Sequence, residues 1–151
     1  MANKKISELT PKAAQLEDSD LVMVSDYNGS TYDTKSVTGA NIRPYKTILF
    51  AISQSGTAVP TKIFSYEDEV TQTFTLARSS VGIYTLTASS ALFTSNKTFV
   101  SISNGTSASG ICLAAYVVSS TLVYFSSSTG STGSLLDSAL DEAILEIKII
   151  K

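Results

Sequence analysis

In several segments of this chain hydrophobic and polar positions alternate with period two, the pattern of strands with one buried face. Thr73-Phe74-Thr75-Leu76 and Ile83-Tyr84-Thr85-Leu86-Thr87 alternate residue by residue. The clearest case is the last segment, where Leu145, Ile147 and Ile149 share one face and Glu146 and Lys148 the other. Ile144 and Ile150 also fall on the charged face, so two large aliphatics stand where solvent is expected. An interface with a second copy of the chain accounts for them, and so does cover from the nearby Leu135, Leu136 and Leu140. The alternation predicts strands near 47–54, 59–66, 70–78, 82–89, 96–103, 110–118, 121–127 and 142–150. Turn residues at Gly56, Pro60, Gly82, Asn104-Gly105 and Ser119-Ser120 separate them, with 104–110 read as a hairpin connection. Short strands at this spacing predict a mostly β fold, an antiparallel β-sandwich, with a jelly roll as one form of it. Residues 126–134, SSSTGSTGS, read as a mobile loop, and 135–142 as a packed, irregular return into the last strand.

The section before this domain has a different character. Residues 21–37, LVMVSDYNGSTYDTKSV, predict a hairpin with strands near 21–26 and 31–37 about a two-residue turn at Asn28-Gly29. Ahead of it, Lys5-Ile6-Ser7-Glu8-Leu9 reads as one helical turn, ended by Pro11. Val22-Met23-Val24 places apolar groups on both faces of its strand, so both faces seek cover. Units of about 40 residues seldom stand alone, and a lone hairpin is marginal. A division into residues 1–43 and 44–151 follows, with Ile6, Leu9, Leu21, Val22, Met23, Val24 and Val37 as the smaller unit's docking residues. Their partner is the rest of the chain, a sister subunit or a foreign surface.

Composition narrows the chemistry. The 151 residues hold 43% hydrophobic and only 16% charged side chains, below the usual charged share of about 25%. Hydroxyls replace the charges: 43 of 151 residues are Ser or Thr, which makes a flat, weakly charged surface of the kind that assembles. Net charge is −2 with no basic cluster, against a nucleic-acid partner. No apolar run approaches the length of a spanning helix, and the N-terminus lacks the apolar core of a signal peptide, against a membrane or an export route. With no histidine and one cysteine, Ser-His and Cys-His pairs and thiolate metal clusters are excluded. Cys112, in an apolar run, reads as a buried structural thiol. Glu67-Asp68-Glu69 and the group Asp137, Asp141 and Glu142 read as loop charge, without the spacing of a calcium loop. The N-glycosylation patterns at Asn28, Asn96 and Asn104 read as turns. Tyr84, Tyr116 and Tyr124, in strand patterns, read as core or interface. No catalytic residue, metal ligand or cofactor site emerges, and an enzyme is not expected.

Two stretches carry a resemblance. Lys5-Ile6-Ser7-Glu8-Leu9-Thr10-Pro11, then Leu21-Val22-Met23-Val24 and Lys35-Ser36-Val37-Thr38, resembles the N-terminal unit of many tailed-phage structural proteins, with Met23 where that pattern has proline. Residues 49–61, LFAISQSGTAVPT, with Gly82-Ile83-Tyr84-Thr85-Leu86-Thr87 and Glu146-Ile147-Lys148, are similar to a β domain of virion fibre and appendage proteins in phages of Bacteroidetes, including the crAss-like group. The resemblance implies a virion protein, a head fibre or tail appendage made in the host cytoplasm. Its N-terminal unit would attach to a capsid or tail protein and its β domain would project, with a host-surface glycan as a further partner. It also implies a homo-oligomer, a trimer. A free-standing carbohydrate-binding or adhesion module is the alternative, disfavoured by the missing signal peptide.

Overall fold

The computed structural model describes residues 21–27, 29–42, 44–67, 70–105 and 110–151. Ile6 and Leu9, with the helical turn expected around them, lie outside the described residues. The chain divides into two compact units, Met1–Pro44 and Tyr45–Lys151.

In the first unit, β1 (Leu21–Tyr27) pairs antiparallel with β2 (Tyr32–Thr38), and one helical turn, Gly39–Ile42, follows. The hairpin connection is wider than the two-residue turn expected. Tyr27 pairs with Tyr32, which leaves residues 28–31 between the strands. The tyrosine rings close the ladder at 4.9 Å between centroids, and the Tyr27 hydroxyl donates to the Gly29 carbonyl at 2.8 Å. Gly29 has φ of 98°, which only glycine adopts without cost; Asn28 lies outside the described residues. Val22 faces Val37 across the ladder, and Lys35 bonds the Asp26 carboxylate.

The second unit holds eight strands: β3 (Tyr45–Ser53), β4 (Thr61–Glu67), β5 (Phe74–Ser80), β6 (Ile83–Ala88), β7 (Thr98–Ser103), β8 (Ile111–Ser119), β9 (Leu122–Thr129) and β10 (Ala143–Ile150). They form two four-stranded antiparallel sheets, ordered β4-β3-β10-β7 and β5-β6-β9-β8. One core joins them as a sandwich. Ile48, Phe50 and Ile52 of β3 and Leu145 and Ile147 of β10 are fully buried with Tyr84, Leu86, Val123 and Phe125 of the other sheet. Phe50 meets Phe74 edge-on at 5.4 Å, linking the sheets. Each such side chain contributes about 1.5–3 kcal/mol by leaving water.

Connectivity departs from the sequence reading in two places. The hairpins β3–β4, β5–β6 and β8–β9 each stay inside one sheet, whereas jelly-roll winding sends nearly all successive strands to opposite sheets; that form is not adopted. Residues 104–110 do not join neighbouring strands of one sheet either, because β7 and β8 belong to different sheets; residues 106–109 lie outside the described residues. A turn signature such as Asn-Gly marks where the chain bends but not which sheet it enters next.

The serine-rich segment is also more ordered than its composition suggests. β9 continues through Ser126–Ser128 to Thr129, and Ser127 is fully buried. The Ser127 N–H donates to the Gly82 carbonyl at 2.9 Å and its hydroxyl donates to the Leu136 carbonyl. Beyond it, Thr129 N–H donates to Ser134 O and Gly133 N–H to Thr129 O, both at 2.9 Å, and Leu135 bridges back to Ser128. Short hydroxyl side chains replace lost backbone partners, which holds a low-complexity run in place. The return segment is irregular and packed, with Ala139 and Leu140 buried.

Candidate functional site

The outward face of the first sheet is the most unusual surface of the sandwich. Register builds it in rows. Ser103, Ile144, Ala51 and Phe64 lie side by side, then Ser101, Glu146, Leu49 and Tyr66, then Phe99, Lys148 and Thr47, and last Ile150 beside Tyr45. Phe64, Phe99, Tyr45 and Ile150 are exposed, while Ile144, Leu49 and Ala51 are half-buried by their neighbours. The only charges in these rows are Glu146 and Lys148. They pair with each other at 3.0 Å, and the Lys148 ammonium also sits 5.5 Å from the Tyr45 ring centroid. The bond to Glu146 raises the Lys148 pKa. A face whose charges are already paired loses less when another surface covers it than one with unpaired ions. β4 ends this sheet as an edge strand, exposed along its whole length with Ile63 and Phe64 both over half exposed. Lys62, Glu67 and a register shift opposite Ala51/Ile52 blunt this edge in part, beside the exposed Ile63, Phe64 and Tyr66.

Ile144 and Ile150 thus belong to a larger apolar surface than the sequence suggested. Leu135, Leu136 and Leu140 lie elsewhere: Leu140 is in the core, Leu135 bridges Ser128, and Leu136 bonds Ser127 in the second sheet. Of the proposed docking residues, Leu21, Val22, Met23, Val24 and Val37 lie on the hairpin of the first unit. Leu21 and Met23 are each 66% exposed, Val24 is exposed on the other face, and Val22 and Val37 are half-buried.

The carboxylates resolve into separate roles. Glu67 is an exposed strand end, Asp68 and Glu69 lie outside the described residues, and Asp141 and Glu142 are exposed. No metal-holding cluster occurs among the described residues. Asp137 is different. Arg78 donates to both of its carboxylate oxygens, Nε at 3.0 Å and Nη2 at 2.6 Å, and the Gly82 N–H adds a third bond at 3.0 Å. The Tyr84 hydroxyl, 3.2 Å from Asp137 Oδ1, donates to Gln54 Oε1 at 2.6 Å. Gln54 Oε1 also accepts from the Ser138 N–H at 3.0 Å, which helps hold Ser138 at a φ of 59°. The network ties the return segment to β5 and β6 and to the residue after β3, and the sequence had left it as loop charge. No local signal marks it, because Arg78 and Asp137 are 59 positions apart.

The Arg78 bond, and then that of Gly82, hold the Asp137 carboxyl well below the usual carboxylate range, and burial raises the Tyr84 phenol. A carboxylate with a depressed folded pKa contributes stability that is complete above its unfolded value, about 3.9, and is lost as pH falls through the folded value. Asp137→Asn should therefore melt below the wild type near neutrality, and the gap should close as pH falls below about 4. Thermal melts across that range check it; a gap that stays constant would mean that the carboxylate gains nothing from its partners.

A second surface lies at the other edge, where an open cleft of about 760 Å³ is lined by residues of β7 and β8 and the loops at their ends, Phe99 and Tyr116 among them. Tyr116 is exposed and Tyr124 half-buried, whereas Tyr84 is in the core. Cys112 is exposed on β8, against the expectation of a buried thiol. Both faces of β8 carry apolar residues, so alternation does not show which of them points inward.

No family model, curated protein or solved structure matches the chain.

Proposed function

We propose that the chain is a virion structural protein, a head fibre or tail appendage that attaches through its N-terminal unit and projects the β-sandwich as a homo-oligomer. The observation that carries the assembly role is the outward face of the first sheet, with Phe64, Leu49, Ile144, Ile150 and Tyr45 around a self-paired Glu146–Lys148. Attachment is supported by the hairpin of the first unit, which has apolar side chains exposed on both faces. The virion setting and threefold symmetry come from the resemblance of the Lys5–Pro11, Leu21–Val24 and 49–61 motifs to phage appendage proteins. Closed symmetry is the general habit of homo-oligomers. No catalysis is assigned.

Gold-labelled antibody on purified virions tests the placement directly: decoration at one class of sites is expected, and unlabelled particles overturn it. A chain beginning at Pro44 separates the two roles. It should fold and assemble through its own core but no longer join the particle, because the hairpin is missing. If that chain unfolds, the first unit belongs to the sandwich and is not an anchor. The alternative, an adhesion module, is favoured by the β7–β8 cleft, and particles free of the protein would leave it as the better reading.

A further inference from the structure

The β7–β8 cleft adjoins the assembly face and shares Phe99 with it, while the rest of its lining is different. β7 and β8 are edge strands of opposite sheets and pack close to each other, and the cleft is lined by residues of both. Val100 and Val117, which pack against the core, give the cleft an apolar inner lining. Phe99 and Tyr116 also line it, 59% and 55% exposed, and Tyr116 is steadied by its tilted contact with Tyr124 at 5.0 Å between centroids. Thr94, Asn96 and Ser119 add hydroxyl and amide groups. The loop bearing Thr94 and Asn96 is fixed: the Thr94 N–H donates to Thr98 Oγ1 at 3.0 Å, and the Phe93 N–H donates to Ser120 O at 2.9 Å. Among the described residues, no lining residue is charged.

These features select a ligand. An anion or a nucleic acid needs cations, and the cleft provides none. A wholly apolar occupant would bury the hydroxyl and amide groups without partners, at a cost for each. A pyranose meets both demands, because its C–H face lies flat on an aromatic ring while its hydroxyls exchange hydrogen bonds with Asn, Thr and Ser. The volume is within the range of small-ligand sites. We propose that the cleft between β7 and β8 binds a neutral oligosaccharide, with Phe99 and Tyr116 as stacking platforms and Asn96 and Thr94 as polar contacts. The site is complete within one chain. It adds a ligand to the projecting domain of the assembly role, but its test uses the isolated protein and so fails or succeeds apart from that role.

NMR titration of the full chain, with Phe and Tyr rings labelled, is the experiment. Maltotriose, cellotriose, mannotriose and chitotriose are the probes. At least one should shift the Phe99 and Tyr116 rings in a saturable way. Tyr116→Ala should weaken that binding about 3- to 10-fold, the worth of one aromatic contact, while Tyr116→Phe retains it. Tyr116 is exposed, so its loss leaves the core intact, which thermal melts of each variant verify. Four trisaccharides that leave both rings unmoved at their solubility limits overturn the proposal. So does equal affinity in Tyr116→Ala, and so does a change of oligomer size in that variant without any effect on sugar, which would make the cleft a protein interface.

Discussion

Aspartate at both Ile144 and Ile150 is expected to dissociate the homo-oligomer proposed above while the sandwich stays folded. Both side chains lie on the outward face of the first sheet, beside Ala51 and Tyr45. Ile150 is 41% exposed in the single chain, so a carboxylate there meets water and costs the protomer little. Ile144 is half-buried near the start of β10, where the poor strand propensity of aspartate costs about 1 kcal/mol. The assembly loses far more. Two isoleucines per copy, at about 2 kcal/mol each, raise the dissociation constant by roughly 10³-fold even before the new charges are desolvated. Light scattering at matched concentrations reads the size, and circular dichroism on the same samples reads the fold. Phe64→Asp, in the same row as Ile144, should act in the same direction. An oligomer of native size from the double variant would remove this face from the interface. Loss of fold together with assembly would mean that the two residues are core positions of the protomer.

The strands were legible wherever one face is buried and the other is not. β10 and β6 show it best, because their apolar residues alternate with Glu, Lys and Thr. β8 was found as a strand but its faces were not, since Ile111, Leu113, Ala115 and Val117 alternate with Cys112, Ala114, Tyr116 and Val118, all apolar or nearly so. Cys112 was therefore placed on the wrong side. Which sheet a strand joins was not legible at all: the long-range pairing of β10 with β3 and β7 leaves no local trace. The candidate face divides in the same way. Ile144 and Ile150 stood out because they break an alternation within one strand. Phe64, Tyr66, Leu49 and Phe99 became their neighbours only through register between strands far apart in the chain. The Arg78–Asp137 pair was invisible for the same reason, as was the order of the serine-rich turn, whose hydrogen bonds depend on where Gly82 and Leu136 lie.

A single methyl group at Gly105 should be among the most damaging substitutions in the sandwich. Residue 105 lies two positions past the end of β7, and its backbone presses on the segment just before β10. A Cβ built there meets the Asp141 carbonyl oxygen at 1.8 Å and the Glu142 carbonyl carbon at 2.6 Å. Both are backbone atoms, so no rotamer change relieves the overlap. Either Gly105 moves away or residues 141–142 move, and the second course pulls on Ala143, which is fully buried at the start of β10. Overpacking of this kind costs about 1–3 kcal/mol, and the rigid neighbours put Gly105→Ala at the upper end. Gly133→Ala is the control, because Gly133 has φ of 69° but open space around its Cβ position. It should cost only the left-handed backbone term, about 1 kcal/mol. Urea unfolding of the two variants with the wild type separates steric overlap from backbone strain. Equal midpoints for Gly105→Ala and the wild type would mean that Gly105 does not lie against residues 141–142, and that this end of the sandwich is built differently.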